Sequence, residues 1–287
     1  MKYIFALSIL FSFMLITHNY KTPLCEGILP DNDLYIPESE VSPFSLDRQK
    51  FDEVLNRIES VYEPIIKKMG GTLEVKRLWS DGKVNASAMR LGSRFIINMY
   101  GGMARYPSMT EEGMALTACH EMGHHLAGAP KVKNKLSNWA SNEGQSDYFA
   151  GLKCFRKIYS DDENIVWAYQ AFIHPVVLDK CTRYWPTLAE QAACARFSMA
   201  GLTLAHVIRE IKFPNDDLGF DTPDTSIVTN TEDGHPRPQC RLDTYIAAAL
   251  CDQPLDESLS DSDPNLGVCT RNAGYTESVR PLCWYKP

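Results

Sequence analysis

The sequence contains no dense run of lysine and arginine, and its charge is weighted to the acidic side. Among 287 residues there are 29 basic and 36 acidic side chains, which gives a net charge of −7. Nucleic acids and anionic membrane surfaces are both bound through clustered positive charge. We therefore expect no nucleic-acid partner and no attraction to a charged membrane surface.

Long apolar runs are also missing after the first twenty residues. Residues 4–16, which follow Lys2, form a run of thirteen mostly apolar residues. This length fits the core of a signal peptide and is below the roughly 20 residues that a membrane-spanning helix needs. We therefore expect an exported protein, periplasmic or secreted, with a signal peptide over residues 1–20 and no membrane span in the mature chain. An uncleaved N-terminal anchor is the alternative.

No two cysteines are spaced as C-x-x-C, so neither a zinc ribbon nor a thioredoxin-like site is indicated. The nine cysteines are an odd number, and we expect Cys119 to be the unpaired one, packed as a small buried side chain. The other eight could form four disulfides in an oxidising compartment. Candidate close pairs are Cys181/Cys194, Cys240/Cys251 and Cys269/Cys283. The Cys25 thiolate could cap a zinc ion, but its neighbours match no such motif and a structural disulfide is favoured.

No internal repeat is present, and the chain divides by composition into four parts. After the signal peptide, residues 21–45 contain four prolines and form an extended lead-in, residues 46–250 form the main domain, and residues 251–287 form a cysteine-containing tail. Apolar periodicity predicts helices over residues 46–69, 109–127, 142–159, 187–212 and 241–250. Strand-like runs cover residues 72–79, 84–90 and 94–100. The predicted fold class is α+β, mainly helical with a small antiparallel sheet.

Two local motifs refine this prediction. Asp81-Gly82 is a turn sequence between the first two strand-like runs and predicts a hairpin there. Ser108-x-x-Glu111 has the pattern of a capping box and predicts the start of the helix over residues 109–127.

That helix carries the sequence His120-Glu121-Met122-Gly123-His124, an H-E-x-x-H motif. Residues four apart lie on one helix face, so both imidazoles can reach one Zn²⁺ ion. In this motif the glutamate serves as general base, which assigns that role to Glu121. We expect Gly123 to leave room beside the metal.

The next predicted helix offers a third ligand. A metzincin would need glycine and histidine at positions 127 and 130, where this chain has Ala127 and Pro130. Instead, Glu143 and Asp147 lie one turn apart at the start of the helix over residues 142–159. Glu143 would complete three protein ligands and leave a fourth position open. Asp147 would accept the second ring N–H of a ligand histidine and so fix its tautomer.

The combination of H-E-x-x-H and E-x-x-x-D resembles the gluzincin metallopeptidases, and within them the HtpX and CAAX-prenyl-endopeptidase-like family. The likeness extends to the strand sequence of residues 94–98 and to Gly234-His235-Pro236 followed by Arg241, and it covers about residues 90–250. It implies a zincin-like fold, one zinc ion, a His235 that steadies the oxyanion and a supporting charge on Arg241. The membrane helices of the integral members are missing, so no prenylated substrate is implied.

The leading hypothesis is a zinc-dependent endopeptidase that acts on protein or peptide substrates outside the cytoplasm. The strand over residues 94–100 would be a sheet edge that holds the substrate backbone. A second hypothesis is a disulfide-stabilised zinc-containing binding or chaperone-like protein without turnover. A third is a zinc hydrolase of non-peptide amides or esters, which would use the same ligands.

Overall fold

The computed structural model describes residues 27–40, 42, 45–134 and 138–287. The expected signal peptide over residues 1–20, Cys25 and the first part of the lead-in lie outside the described residues. Within the described ranges, no helix combines the length and apolar character that crossing a bilayer requires.

The chain has the predicted α+β class, with mostly helical structure and one small sheet. The helices are α1 (Arg48–Lys68), α2 (Gly101–Ala104), α3 (Glu111–Leu126), α4 (Glu143–Phe149), α5 (Arg156–Ile158), α6 (Asp161–Gln170), α7 (Pro175–Tyr184), α8 (Leu188–Lys212) and α9 (Pro238–Ala249). A π-helix over Ala150–Phe155 joins α4 to α5. The strands are β1 (Thr72–Leu78), β2 (Ala86–Leu91) and β3 (Arg94–Tyr100).

The sheet is mixed, so the prediction of an antiparallel sheet is wrong for one of its two strand pairs. Its order is β1-β3-β2, with β1 parallel to β3 and β2 antiparallel to β3. Asp81-Gly82 closes no hairpin, because the chain between β1 and β2 crosses to the far side of β3. The prediction that β3 is an edge is wrong as well, since β3 is the central strand and its residues 95–99 are all buried.

Side-chain caps set the beginnings of the long helices. The Thr110 side chain accepts a hydrogen bond from the amide of Gly113, so α3 begins at Glu111 and the capping box predicted from Ser108 is wrong. The Ser108 hydroxyl instead donates to Glu210.

Three helices, α2, α6 and α7, were not predicted. They are short, and α6 buries only Asn164, so apolar periodicity gives little indication of it.

Four disulfides join the eight cysteines of the described residues: Cys119–Cys154, Cys181–Cys194, Cys240–Cys283 and Cys251–Cys269. The expected Cys181–Cys194 pair is confirmed, whereas the expected pairs Cys240/Cys251 and Cys269/Cys283 are wrong. Cys119 is paired, so its expected free thiol is wrong too. All eight described cysteines are paired with one another, so none of them remains to form the disulfide that was favoured for Cys25. Four disulfides suggest an oxidising environment.

The tail supports the start of α4. Trp284 is fully buried and donates its Nε1–H to the Thr244 hydroxyl on α9. A Cβ on Gly144 would lie 2.2 Å from the Trp284 ring, so only glycine permits this contact. Arg280 donates to Gln145, the next residue of α4. The tail and α9 together fix the position of α4, the helix that follows α3.

Candidate metal centre

His120 and His124 lie one turn apart on α3 and are fully buried. Their ring centroids are 4.7 Å apart. Each ring is held through its Nδ1–H: His120 donates to Asp147 Oδ1 at 2.7 Å and His124 donates to the carbonyl of Ser141 at 2.9 Å. The two Nε2 atoms are therefore the ones left to bind a metal ion, and neither has a hydrogen-bond partner among the described residues.

Glu143 is the first residue of α4, and the Asn142 side chain caps that helix by accepting from the Gln145 amide. Glu143 Oε2 lies 3.2 Å from His120 Nε2, and Oε1 lies 3.6 Å from His124 Nε2. Around a tetrahedral zinc ion with bonds of about 2.0–2.1 Å, ligand atoms lie about 3.4 Å apart. The three side chains therefore fit such an ion, and they form a group that could hold a metal.

Close contact between α3 and α4 brings these ligands together. A Cβ on Gly123 would lie 2.8 Å from Ser146 Cα and 2.9 Å from its carbonyl oxygen. These are backbone atoms that cannot move aside cheaply. Gly123 thus makes room for the neighbouring helix α4. That it also leaves room beside the metal stays a prediction.

Behind His120 lies a buried polar cluster of Asp147, Arg241 and Tyr245. Arg241 donates two hydrogen bonds of 2.7 Å to the Asp147 carboxylate, and the Tyr245 hydroxyl donates a third. Burial would raise the pKa of Asp147, but the charges of Arg241 and His120 outweigh it and lower that pKa. Asp147 therefore stays ionised and holds the Nδ1–H tautomer of His120.

Electrostatics distinguish the two ligand histidines. Burial would lower the pKa of His120, but Asp147 and Glu143 outweigh it and raise that pKa to about 9. His124 Nδ1 faces the Ser141 carbonyl and the Ser146 hydroxyl, and burial lowers the pKa of His124 to about 4. For Glu143 burial acts to raise the pKa, but His235 and the two ligand histidines lower it, so the carboxylate is ionised.

Glu121 lies next to this group and is fully buried. Neither of its carboxylate oxygens makes a hydrogen bond of good geometry within the described residues. Burial raises the pKa of Glu121 to about 8, and the charge of Glu143 acts in the same direction, whereas the nearby Ile28 backbone lowers it. The Glu121 side chain is thus buried near the ligand group and near the Ile28 backbone.

His235 and Arg241 both reach the centre from the segment that begins α9. His235 Nε2 lies 3.5 Å from Glu143 Oε2 and donates to the carbonyl of Gly27 at 2.6 Å. Arg241 donates its Nη1–H to the carbonyl of Ile28 at 2.6 Å. The structure therefore brings all seven predicted site residues into one group: His120, Glu121, His124, Glu143, Asp147, His235 and Arg241.

Sequence reasoning missed some of the contacts at this centre. Tyr245 lies one helical turn after Arg241, so its place beside Asp147 could have been inferred from that spacing. No sequence pattern indicates the backbone contacts of Ser141, Gly27 and Ile28, because every residue type has the same carbonyl group. They become visible only in the folded chain.

Comparison with protein-family models, curated proteins and solved structures finds no match to this chain. The likeness to the gluzincins accordingly depends on the segments at residues 94–98, 120–124, 143–147 and 234–241. The chemistry of those residues is inferred from their geometry.

Proposed function

We propose that this chain is a zinc-dependent endopeptidase that hydrolyses peptide bonds of protein substrates outside the cytoplasm, with a zincin-like fold and the gluzincin ligand set. One observation carries the proposal. The ligand atoms of His120, His124 and Glu143 converge next to the buried Glu121, whose carboxylate oxygens have no hydrogen-bond partner of good geometry among the described residues. Three protein ligands leave a fourth position for water or substrate, as in catalytic zinc sites.

A zinc ion held there would act as a Lewis acid toward the substrate carbonyl and the attacking water. Glu121 takes the proton of the attacking water and delivers it to the leaving amine. His235 donates its Nε2–H to the oxygen on which negative charge develops, as it donates to a peptide carbonyl here. Asp147, held by Arg241, keeps the His120 ring oriented.

Replacement of the proposed base tests this assignment. Glu121→Gln keeps the size of the side chain and removes its ability to accept the proton. We expect the variant to retain one zinc per chain by elemental analysis and to lose casein hydrolysis by about 10²–10⁴-fold, the usual contribution of a general base.

Glu111→Gln, at the first position of the same helix, is the matched control and is expected to hydrolyse casein like the unmodified chain. Substantial turnover by the Glu121→Gln variant would contradict the role of Glu121.

One observation favours the second candidate, a disulfide-stabilised zinc-containing binding or chaperone-like protein. His120, Glu121 and His124 are all 0% exposed, as expected for a structural zinc site without an open position. This candidate predicts tight, stoichiometric zinc without hydrolysis of peptides, esters or simple amides. The same set of substrates would also identify a hydrolase of non-peptide amides or esters, which would cleave those substrates and leave peptides intact.

A further inference from the structure

The backbone of Gly27–Leu29 lies across the metal centre. The Gly27 carbonyl accepts from His235 and the next carbonyl, of Ile28, accepts from Arg241. Two consecutive peptide carbonyls thus engage His235, which the proposed function assigns to the substrate oxygen, and Arg241, which holds Asp147.

The same segment follows the outer side of the sheet. Asn85, just before the edge strand β2, accepts from the Leu29 amide and donates to the Leu29 carbonyl, both at 3.1 Å. Farther along, the Val84 amide donates to the Leu34 carbonyl, and Tyr35 forms an antiparallel bridge with Lys83. An extended peptide that is added to a sheet edge makes antiparallel contacts of this kind.

We propose that Gly27–Leu29, here called the N-terminal strap, occupies the substrate cleft of the metal centre and keeps the chain largely latent, with slow hydrolysis only while the strap is transiently displaced. This inference rests on the proposed function for what the cleft would otherwise bind. Ile28 and Leu29 are fully buried, and Glu121 beneath them has no exposed surface. A second polypeptide therefore reaches Glu121 only after the strap has left.

The fit of the strap depends on a glycine. Gly27 has a φ of +99°, and a Cβ at this position would lie 2.2 Å from the carbonyl oxygen of Ala86. That oxygen belongs to the backbone of β2 and cannot move aside without disturbing the sheet. Gly27→Ala should therefore push the strap away from the centre while leaving every proposed ligand in place.

Zinc release to an excess of a chromogenic chelator reports on the strap without requiring catalysis. We expect Gly27→Ala to release zinc roughly ten- to a hundredfold faster than the unmodified full chain, the range that overpacking against fixed atoms produces. Gly274→Ala is the matched control, because its φ is +89° and a Cβ there would meet nothing within 4 Å. The control should release zinc at the unmodified rate.

A second variant, Asn85→Ala, tests the strap in case Gly27→Ala fails to fold. Asn85→Ala removes both hydrogen bonds that hold Leu29 and adds no bulk, and Asn85 contacts none of the proposed ligands. We expect it to accelerate zinc release as well. If both variants fold and release zinc at the unmodified rate, the strap does not cover the centre and the inference is overturned.

Casein hydrolysis by the same variants separates this inference from the proposed function. Faster zinc release together with a rise in hydrolysis supports both. Faster release without hydrolysis of any polypeptide supports the strap as a cover and contradicts the endopeptidase. Measurable and equal hydrolysis by the unmodified chain and by Gly27→Ala, with equal zinc release, overturns latency and leaves the endopeptidase intact.

Discussion

The Asp147 carboxylate accepts hydrogen bonds from three different side chains, those of His120, Arg241 and Tyr245. It is fully buried, and the guanidinium of Arg241 balances its charge. Without that partner a buried carboxylate would be protonated and could not hold the Nδ1–H of His120. Asp147 is therefore expected to act on the metal through the orientation of a ligand, not by touching the ion.

Replacing Asp147 tests this role. Asp147→Asn keeps the shape but loses the charge that fixes the His120 tautomer, so zinc affinity should fall by roughly 10–100-fold, the usual effect of losing such a partner. Competition with a chelator of known affinity measures the change. Tyr245→Phe removes one of the three donors and leaves the carboxylate in place, so it should lower zinc affinity much less. Unchanged zinc affinity in Asp147→Asn would remove Asp147 from the site.

At the scale of elements, the crossing of α3 and α4 sets the distance between the ligands. His120 and His124 come from one helix and Glu143 from the other, so the spacing of the two helices fixes the 3.2 Å and 3.6 Å separations. Gly123 lies at the closest approach, against the backbone of Ser146. The disulfide Cys119–Cys154 joins α3 to the π-helix that continues α4 and holds the same pair together.

Insertion of a methyl group at this crossing should loosen the metal centre. Gly123→Ala forces α3 and α4 apart, and we expect zinc affinity to fall at least roughly tenfold, within the range of overpacking costs. Gly113→Ala, earlier on α3, is the control, because its Cβ would meet side-chain atoms of Thr203, Met109 and Thr110 and not the backbone of a neighbouring helix. Isothermal titration with zinc measures both variants. A Gly123→Ala chain that is less stable but binds zinc normally would show that the crossing does not set the ligand geometry.

The success of sequence reasoning also differed between elements. The long helices α1, α3 and α8 were predicted within a few residues, because apolar periodicity and capping residues are local properties. The strand segments were also found, but their pairing was not. Whether β1 pairs with β2 or with β3 depends on packing against the rest of the chain, which no short stretch of residues contains.

At the scale of the whole molecule, the metal centre collects distant parts of the chain. The ligands come from residues 120–143, Arg241 comes from α9, and the strap comes from residues 27–29. Disulfides fix α9 from both of its ends, since Cys240 pairs with Cys283 and Cys251 pairs with Cys269. An ion at this point would stabilise the folded chain as a whole, because the site does not exist in the unfolded chain.

Removal of zinc should therefore lower the melting temperature. With free zinc at about 100 times its dissociation constant, binding adds about 2.7 kcal/mol to the free energy of unfolding. For a chain of this size that corresponds to roughly 5–10 °C. Calorimetry with and without a chelator measures the shift. The His120→Ala variant lacks a ligand and should show little shift, and equal shifts in both chains would place the stabilising ion elsewhere.

The sequence by itself determined the features that depend on neighbouring residues: the helical spacing of His120 and His124, and the helix that carries Glu143 and Asp147. Only the tertiary structure decided the strand order, most of the disulfide pairing, the meeting of Arg241 with Asp147 across 94 residues, and the strap over the centre. The reason is physical. Helical spacing follows from backbone geometry within one turn, whereas contacts between distant segments depend on how all the buried side chains pack together.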